Sequence, residues 1–179
     1  HQPWANAMVG GDPSWQAWLD NGRGKDTALP VATLGRLGDL GVSMLGSFLD
    51  NAVAVSAWPE AKKIARRIVA ADRWHMRARV LLGVLDDVEA GRVRLADRDL
   101  RKLLGATLLD DGLLWRLHAA VVATPAAHGL GLAVSGALRG KRLIVDARRL
   151  AEAALREPQL SAELKDGFRA ELALMALAT

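Results

Sequence analysis

Apolar residues recur every three or four positions along most of the chain, the spacing that gathers them on one face of an α-helix. Trp15, Trp18 and Leu19 make such a face behind Asp12-Pro13, an N-cap followed by proline at the first helical position. Asn21-Gly22 ends that short helix, and 21–29 read as a polar loop. Pro30 opens a second helix over 31–57, with Leu34, Leu37, Gly41, Met44, Phe48 and Ala52 as its buried stripe. Pro59 opens a third, with Glu60 in the first turn, where the macrodipole favours an acid. Its pattern runs on to Ala90, with Gly83 inside and Gly91 as a stop.

The second half of the chain is punctuated more often. A short helix over 97–104 ends at Gly105, and Asp110 or Asp111 caps the next, which Pro125 terminates. An Arg-Gly-Lys-Arg turn at 139–142 precedes a helix over 143–156, closed by Pro158. Ser161 caps the last helix, whose Leu164, Phe168, Leu172 and Met175 share one apolar face, with Phe168 and Leu172 expected to be buried against 31–57 or 143–156. No window alternates with period two, so no significant sheet is expected. The predicted fold is all-α, a compact bundle or stack of six to eight helices joined by short loops. Residues 1–11 read as an irregular arm and 12–179 as a single helical domain.

Composition agrees and removes some chemistry. Ala and Leu, good helix formers, dominate alongside Arg and Asp, while Tyr is absent and Phe appears twice. The lack of Cys excludes disulfides, thiolate metal sites and Cys nucleophiles. A net charge of +4 permits an anionic partner without demanding one. No signal peptide or transmembrane helix is visible, so a soluble chain is expected, with no compartment assigned. Gly35, Gly38, Gly41 and Gly46 are numerous for one helix, since each costs roughly 1 kcal/mol against Ala. Their use would be close approach of another helix, which makes self-association through Gly-rich faces an expectation. Leu81-Leu82-Gly83 with Asp86-Asp87 echoes Leu103-Leu104-Gly105 with Asp110-Asp111, at a spacing too uneven for a repeat.

The strongest functional signal is 62–79, where Lys62, Lys63, Arg66, Arg67, Arg73, Arg77 and Arg79 are basic and Asp72 is the single acid. On a continuous helix Lys62, Arg66, Arg73 and Arg77 fall in one narrow sector, flanked by Lys63 and Arg79. Ile64, Ala65, Ile68, Ala71 and Met76 lie opposite. Such a basic amphipathic helix suits a phosphate backbone, an anionic membrane surface or an acidic protein groove, with Trp74 placed to stack or anchor. The plain alternative is a solvated outer face over an ordinary core.

Other segments carry weaker signals. Leu95 to Gly105 resembles the first helix and turn of a phage-repressor-type helix-turn-helix. That resemblance implies a degenerate DNA-reading motif at 95–115, although Asp110 and Asp111 would face phosphates and Arg101 replaces a small residue in the turn. Residues 117–138 contain no Asp, Glu, Lys or Arg, yet Pro125, two histidines and three glycines dilute the run. A buried helical hairpin turning at 125–128 is expected there. His118 and His128 flank that turn, but a metal site needs three or four ligands and no third is evident. Ser135 lacks an orienting carboxylate. Gly136 to Arg142 is one residue short of a phosphate loop and has Arg142 where a hydroxyl should be.

The leading expectation is a non-enzymatic binding or assembly protein with no cofactor and no metal. It docks an anionic or acidic macromolecule (protein, nucleic acid or membrane surface) through 62–79. A nucleic-acid-binding regulator using 95–115 and a small histidine-dependent hydrolase or metal enzyme are the alternatives.

Overall fold

The structure, a computed structural model, describes residues 38–178, and side chains from Gly41 onward. Eight helices and no strand lie among the described residues. They are α1 (Gly38–Ala54), α2 (Trp58–Ala71), α3 (Met76–Glu89), α4 (Asp97–Leu104), α5 (Asp111–Ala123), α6 (His128–Gly140), α7 (Ile144–Leu155) and α8 (Ala162–Leu177). The chain is all-α, as its periodicity predicts. The arm at 1–11, the Trp15–Trp18 helix and the stripe positions Leu34 and Leu37 lie outside the described residues. The chain divides into two units, His1–Ala78 and Arg79–Thr179.

In the first unit α1 packs on α2. Leu45, Phe48, Leu49, Ala52 and Val53 recur at helical spacing and are buried, as are Ala61, Ile64, Ala65 and Ile68 of α2. Helix α1 stops because Ser56 turns left-handed, with φ of 57°. The Ser56 N–H then donates to the Val53 carbonyl, and the Ala57 N–H to that of Ala52. This pair of bonds is the Schellman closure, which satisfies carbonyls the helix end would leave orphaned. Among the described residues no atom lies within 4 Å of a Cβ built at Gly46.

The helix expected from Pro59 to Ala90 is two helices. Asp72 leaves α2 with extended backbone, φ −133° and ψ 92°, while its N–H still donates to the Ile68 carbonyl. Its carboxylate accepts the Trp74 N–H at 3.0 Å, a local Asx turn. His75 Nδ1 then accepts the Ala78 N–H at 3.3 Å at the start of α3. The apolar spacing runs through this break because α2 and α3 each bury a face, so periodicity alone hides it. The competing side-chain hydrogen bonds of Asp72 and His75 end one helix and start the next.

The second unit is arranged around α6, which packs against α5, α7 and α8. Leu130, Leu132, Ala133, Val134 and Leu138 are buried around its circumference, and a helix apolar on all sides belongs in a core. This explains the uncharged run at 117–138: α5 and α6 form the expected hairpin, joined by 124–127. Phe168 of α8 is fully buried and reaches Gly131, where an added Cβ would sit 3.6 Å from its ring. Leu172 of α8, expected in the core beside it, is only half-buried, while Glu171 is buried in its place. The reason is that Glu171 faces α6. Its two oxygens accept from Arg139 Nε at 2.6 Å and Nη2 at 3.2 Å, and this hydrogen bonding raises the Arg139 pKa above its ordinary value.

Helix ends in this unit follow local signals. The Asp110 carboxylate accepts the Leu113 N–H at 2.8 Å, and Ser161 Oγ the Leu164 N–H at 3.3 Å. Gly91, with φ of 70°, closes α3. The start of α6 is different. Asp87 of α3 is buried, and its carboxylate accepts the Leu130 N–H at 2.9 Å and Arg92 Nε at 2.8 Å. Beside it, α3 and α6 touch backbone to backbone: a Cβ added at Gly129 would lie 2.0 Å from the Gly83 carbonyl carbon.

Candidate functional site

The break at Asp72 redistributes the basic residues of 62–79, and the single five-turn stripe does not form. Lys62 and Arg66 stand on α2, Arg73 and Trp74 in the connecting turn, and Arg77 and Arg79 on α3. Lys62 is buried. Arg77 Nη2 pairs with Asp50 Oδ1 at 2.5 Å. Arg79 Nη1 donates to the Glu163 carbonyl at 3.1 Å, within the second unit. Arg67 is half-buried.

What remains exposed is a shorter surface in the first unit. Lys63 and Arg66 lie one turn apart on the outer face of α2. Lys63 meets Glu60 at 3.0 Å, a surface pair worth at most about 1 kcal/mol and open to exchange. At the end of the helix the Arg73 guanidinium lies 4.6 Å from the centroid of the Trp74 ring, and Trp74 is 59% exposed. A cation held over an exposed indole supplies positive charge and a flat apolar face together.

The residues behind the other sequence signals make the following contacts. Six residues, 105–110, separate α4 from α5, and Gly105 has ordinary extended backbone with φ −71° and ψ 169°. The three- to four-residue turn of a helix-turn-helix is therefore not formed at 95–115. Lys102 meets Asp110 at 3.5 Å, and Lys141 pairs with Asp111. The Leu113 N–H, helped by Lys102, holds the Asp110 carboxyl below its ordinary pKa. Ser135 Oγ is buried and donates to the Ala147 carbonyl at 3.0 Å. His118 stands edge-on to Trp115, with ring centroids 5.3 Å apart. No group of three or more potential metal ligands occurs among the described residues. No helix among them is long and apolar enough to cross a membrane.

His128, which the sequence singles out at the turn after α5, lies in a groove with Glu157. This groove, of about 230 Å³ in the second unit, is lined by Val121, Val122, Pro125, Ala127, His128, Gly131, Leu150, Ala153, Ala154 and Glu157. His128 Nε2 is buried and has no hydrogen-bond partner among the described residues. The groove joins three helices, so no local pattern announces it. No protein-family model matches the chain, and neither does any curated protein or solved structure, so a functional reading rests on geometry and charge.

Proposed function

We propose that this chain is a non-enzymatic binding or assembly protein that docks an anionic or acidic partner through the exposed face of α2 and the turn after it. The observation that supports this reading is the Arg73–Trp74 stack, exposed at the end of a helix that also presents Lys63 and Arg66. An ordinary solvated surface intersperses both signs; here Glu60 meets Lys63, and Asp72, beside Arg73, accepts the Trp74 N–H. Attraction of this kind weakens with salt, as the Debye length falls from about 10 Å at 0.1 M to about 3 Å at 1 M. Indole and guanidinium together suit planar or interfacial anionic groups better than a bare charge does.

The test is retention of the wild type and of an Arg66→Glu/Arg73→Glu variant across a salt series. The supports are heparin, single-stranded nucleic acid, anionic vesicles and immobilised poly-glutamate. Salt-sensitive retention of the wild type on at least one support, lost in the variant, is the expected result. Identical elution of the two proteins on all four supports refutes the reading.

A further inference from the structure

The groove in the second unit lies between the C-terminal turns of two helices. Val121 and Val122 belong to the last turn of α5, and Leu150, Ala153 and Ala154 to the last turns of α7. Helix C-termini carry the negative end of the macrodipole, equivalent to about half an elementary charge each. The first turn of α6 brings a positive end to the same place, but the buried Asp87 carboxylate already sits on the Leu130 N–H there and offsets it. Glu157 is the one carboxylate in the lining, and it makes no ion pair among the described residues. Apart from His128, whose buried Nε2 has no hydrogen-bond partner among the described residues, the remaining wall is apolar. For comparison, a cavity of about 150 Å³ lined by apolar side chains is enough to hold benzene.

We propose that this groove binds a small amphiphilic cation, a compact apolar or aromatic body bearing an ammonium group, with Glu157 as the counter-ion. The body displaces water from the valine, leucine and alanine wall, and the head remains at the mouth. There it is hydrated on one side and paired on the other, so burial of a bare charge is avoided. An anion of the same shape meets Glu157 and two helix C-termini and is repelled. The site takes the opposite charge to the basic surface on α2 and belongs to the other unit, so the two readings stand or fall separately.

The experiment is a titration of the full chain followed by amide NMR, with benzylamine, benzyl alcohol and benzoate as size-matched probes at neutral pH. Benzylamine is expected to give saturable shifts confined to residues 121–131 and 150–157. A single half-exposed charge pair predicts that it binds about fivefold tighter than benzyl alcohol. Glu157→Gln should remove that preference while retaining a folded spectrum. Ala153→Trp, at an exposed position on the rim, should fill the groove and weaken all probes. Absence of saturable shifts with benzylamine overturns the proposal. Equal binding of the amine and the alcohol overturns it too, as does an amine preference that survives Glu157→Gln. If the tryptophan variant fails to fold, the glutamine variant still decides.

Discussion

Residues 81–87 and 103–111 share a run of two leucines and a glycine followed by paired aspartates, and the structure uses them in opposite ways. In the first, Gly83 sits inside α3 and Asp87 is buried, reaching across to the backbone of α6. In the second, Gly105 follows the end of α4 and Asp110 is an exposed cap on the helix that begins beside it. The side chains are alike, and so is the bond: a carboxylate accepts a backbone N–H at 2.9 Å in one case and 2.8 Å in the other. The difference is separation in sequence. Asp110 serves a donor three residues away, whereas Asp87 serves one forty-three residues away. A local cap forms wherever its own helix forms. A remote cap requires α3 and α6 to meet first, and the Gly83–Gly129 contact is what lets them meet.

The contrast breaks most severely at Gly129. A methyl group there lies 2.0 Å from one backbone atom and 2.6 Å from another, neither of which can swing aside as a side chain would. Gly129→Ala is expected to force α3 and α6 apart and cost more than about 4 kcal/mol. Chemical denaturation with far-UV circular dichroism measures it. A cost below about 1 kcal/mol would mean that the helices have slack the structure does not display.

Asp87→Ala comes next. It leaves the Leu130 N–H buried without an acceptor, and an orphaned donor together with the lost charge-assisted bond predicts about 2–3 kcal/mol. Asp87→Asn keeps an acceptor oxygen in place and should lose less. Equal losses would show that the charge pair with Arg92, and not the cap, is what matters.

Asp110→Ala should cost clearly less than Asp87→Ala, because water replaces an exposed acceptor. Its effect should also depend on pH in a defined direction. The Asp110 carboxyl is held below its ordinary pKa, chiefly by the Leu113 N–H. Stabilisation from the charged cap is therefore fully present above the ordinary carboxylate range and fades as pH falls through the lowered value. Thermal melts of wild type and variant should converge in acid. Curves that stay equally separated at every pH contradict the capping role.

The smallest stability effect belongs to the basic surface. Arg66 and Arg73 are exposed, so the double reversal to Glu should change stability by less than about 0.5 kcal/mol, while abolishing salt-sensitive retention. A variant that unfolds would mean that the guanidinium groups hold the α2 end together.

These outcomes separate what one residue's neighbours in sequence can settle from what they cannot. Helix identity follows from local periodicity and capping chemistry, and the helix at 97–104, the Gly91 stop and the Asp110 and Ser161 caps were all legible. The charge of the candidate surface was legible too, because ionisation needs no partner. Its shape was not. The apolar spacing of 62–79 fits one helix as well as two, and the Asp72 carboxylate, bonding two residues ahead, chose the second. Lys62, Arg77 and Arg79 looked like surface cations on charge alone. Packing buried the first, and contacts with Asp50 and the Glu163 carbonyl engaged the others. The groove beside Glu157 and the cap from Asp87 left no trace in the chain order, since their residues come together only when distant helices pack. Hydrogen bonds within a helix and its local caps span a few residues, so the sequence carries most of their signal. Burial and close approach depend on which remote surfaces meet, and only the tertiary structure decides that.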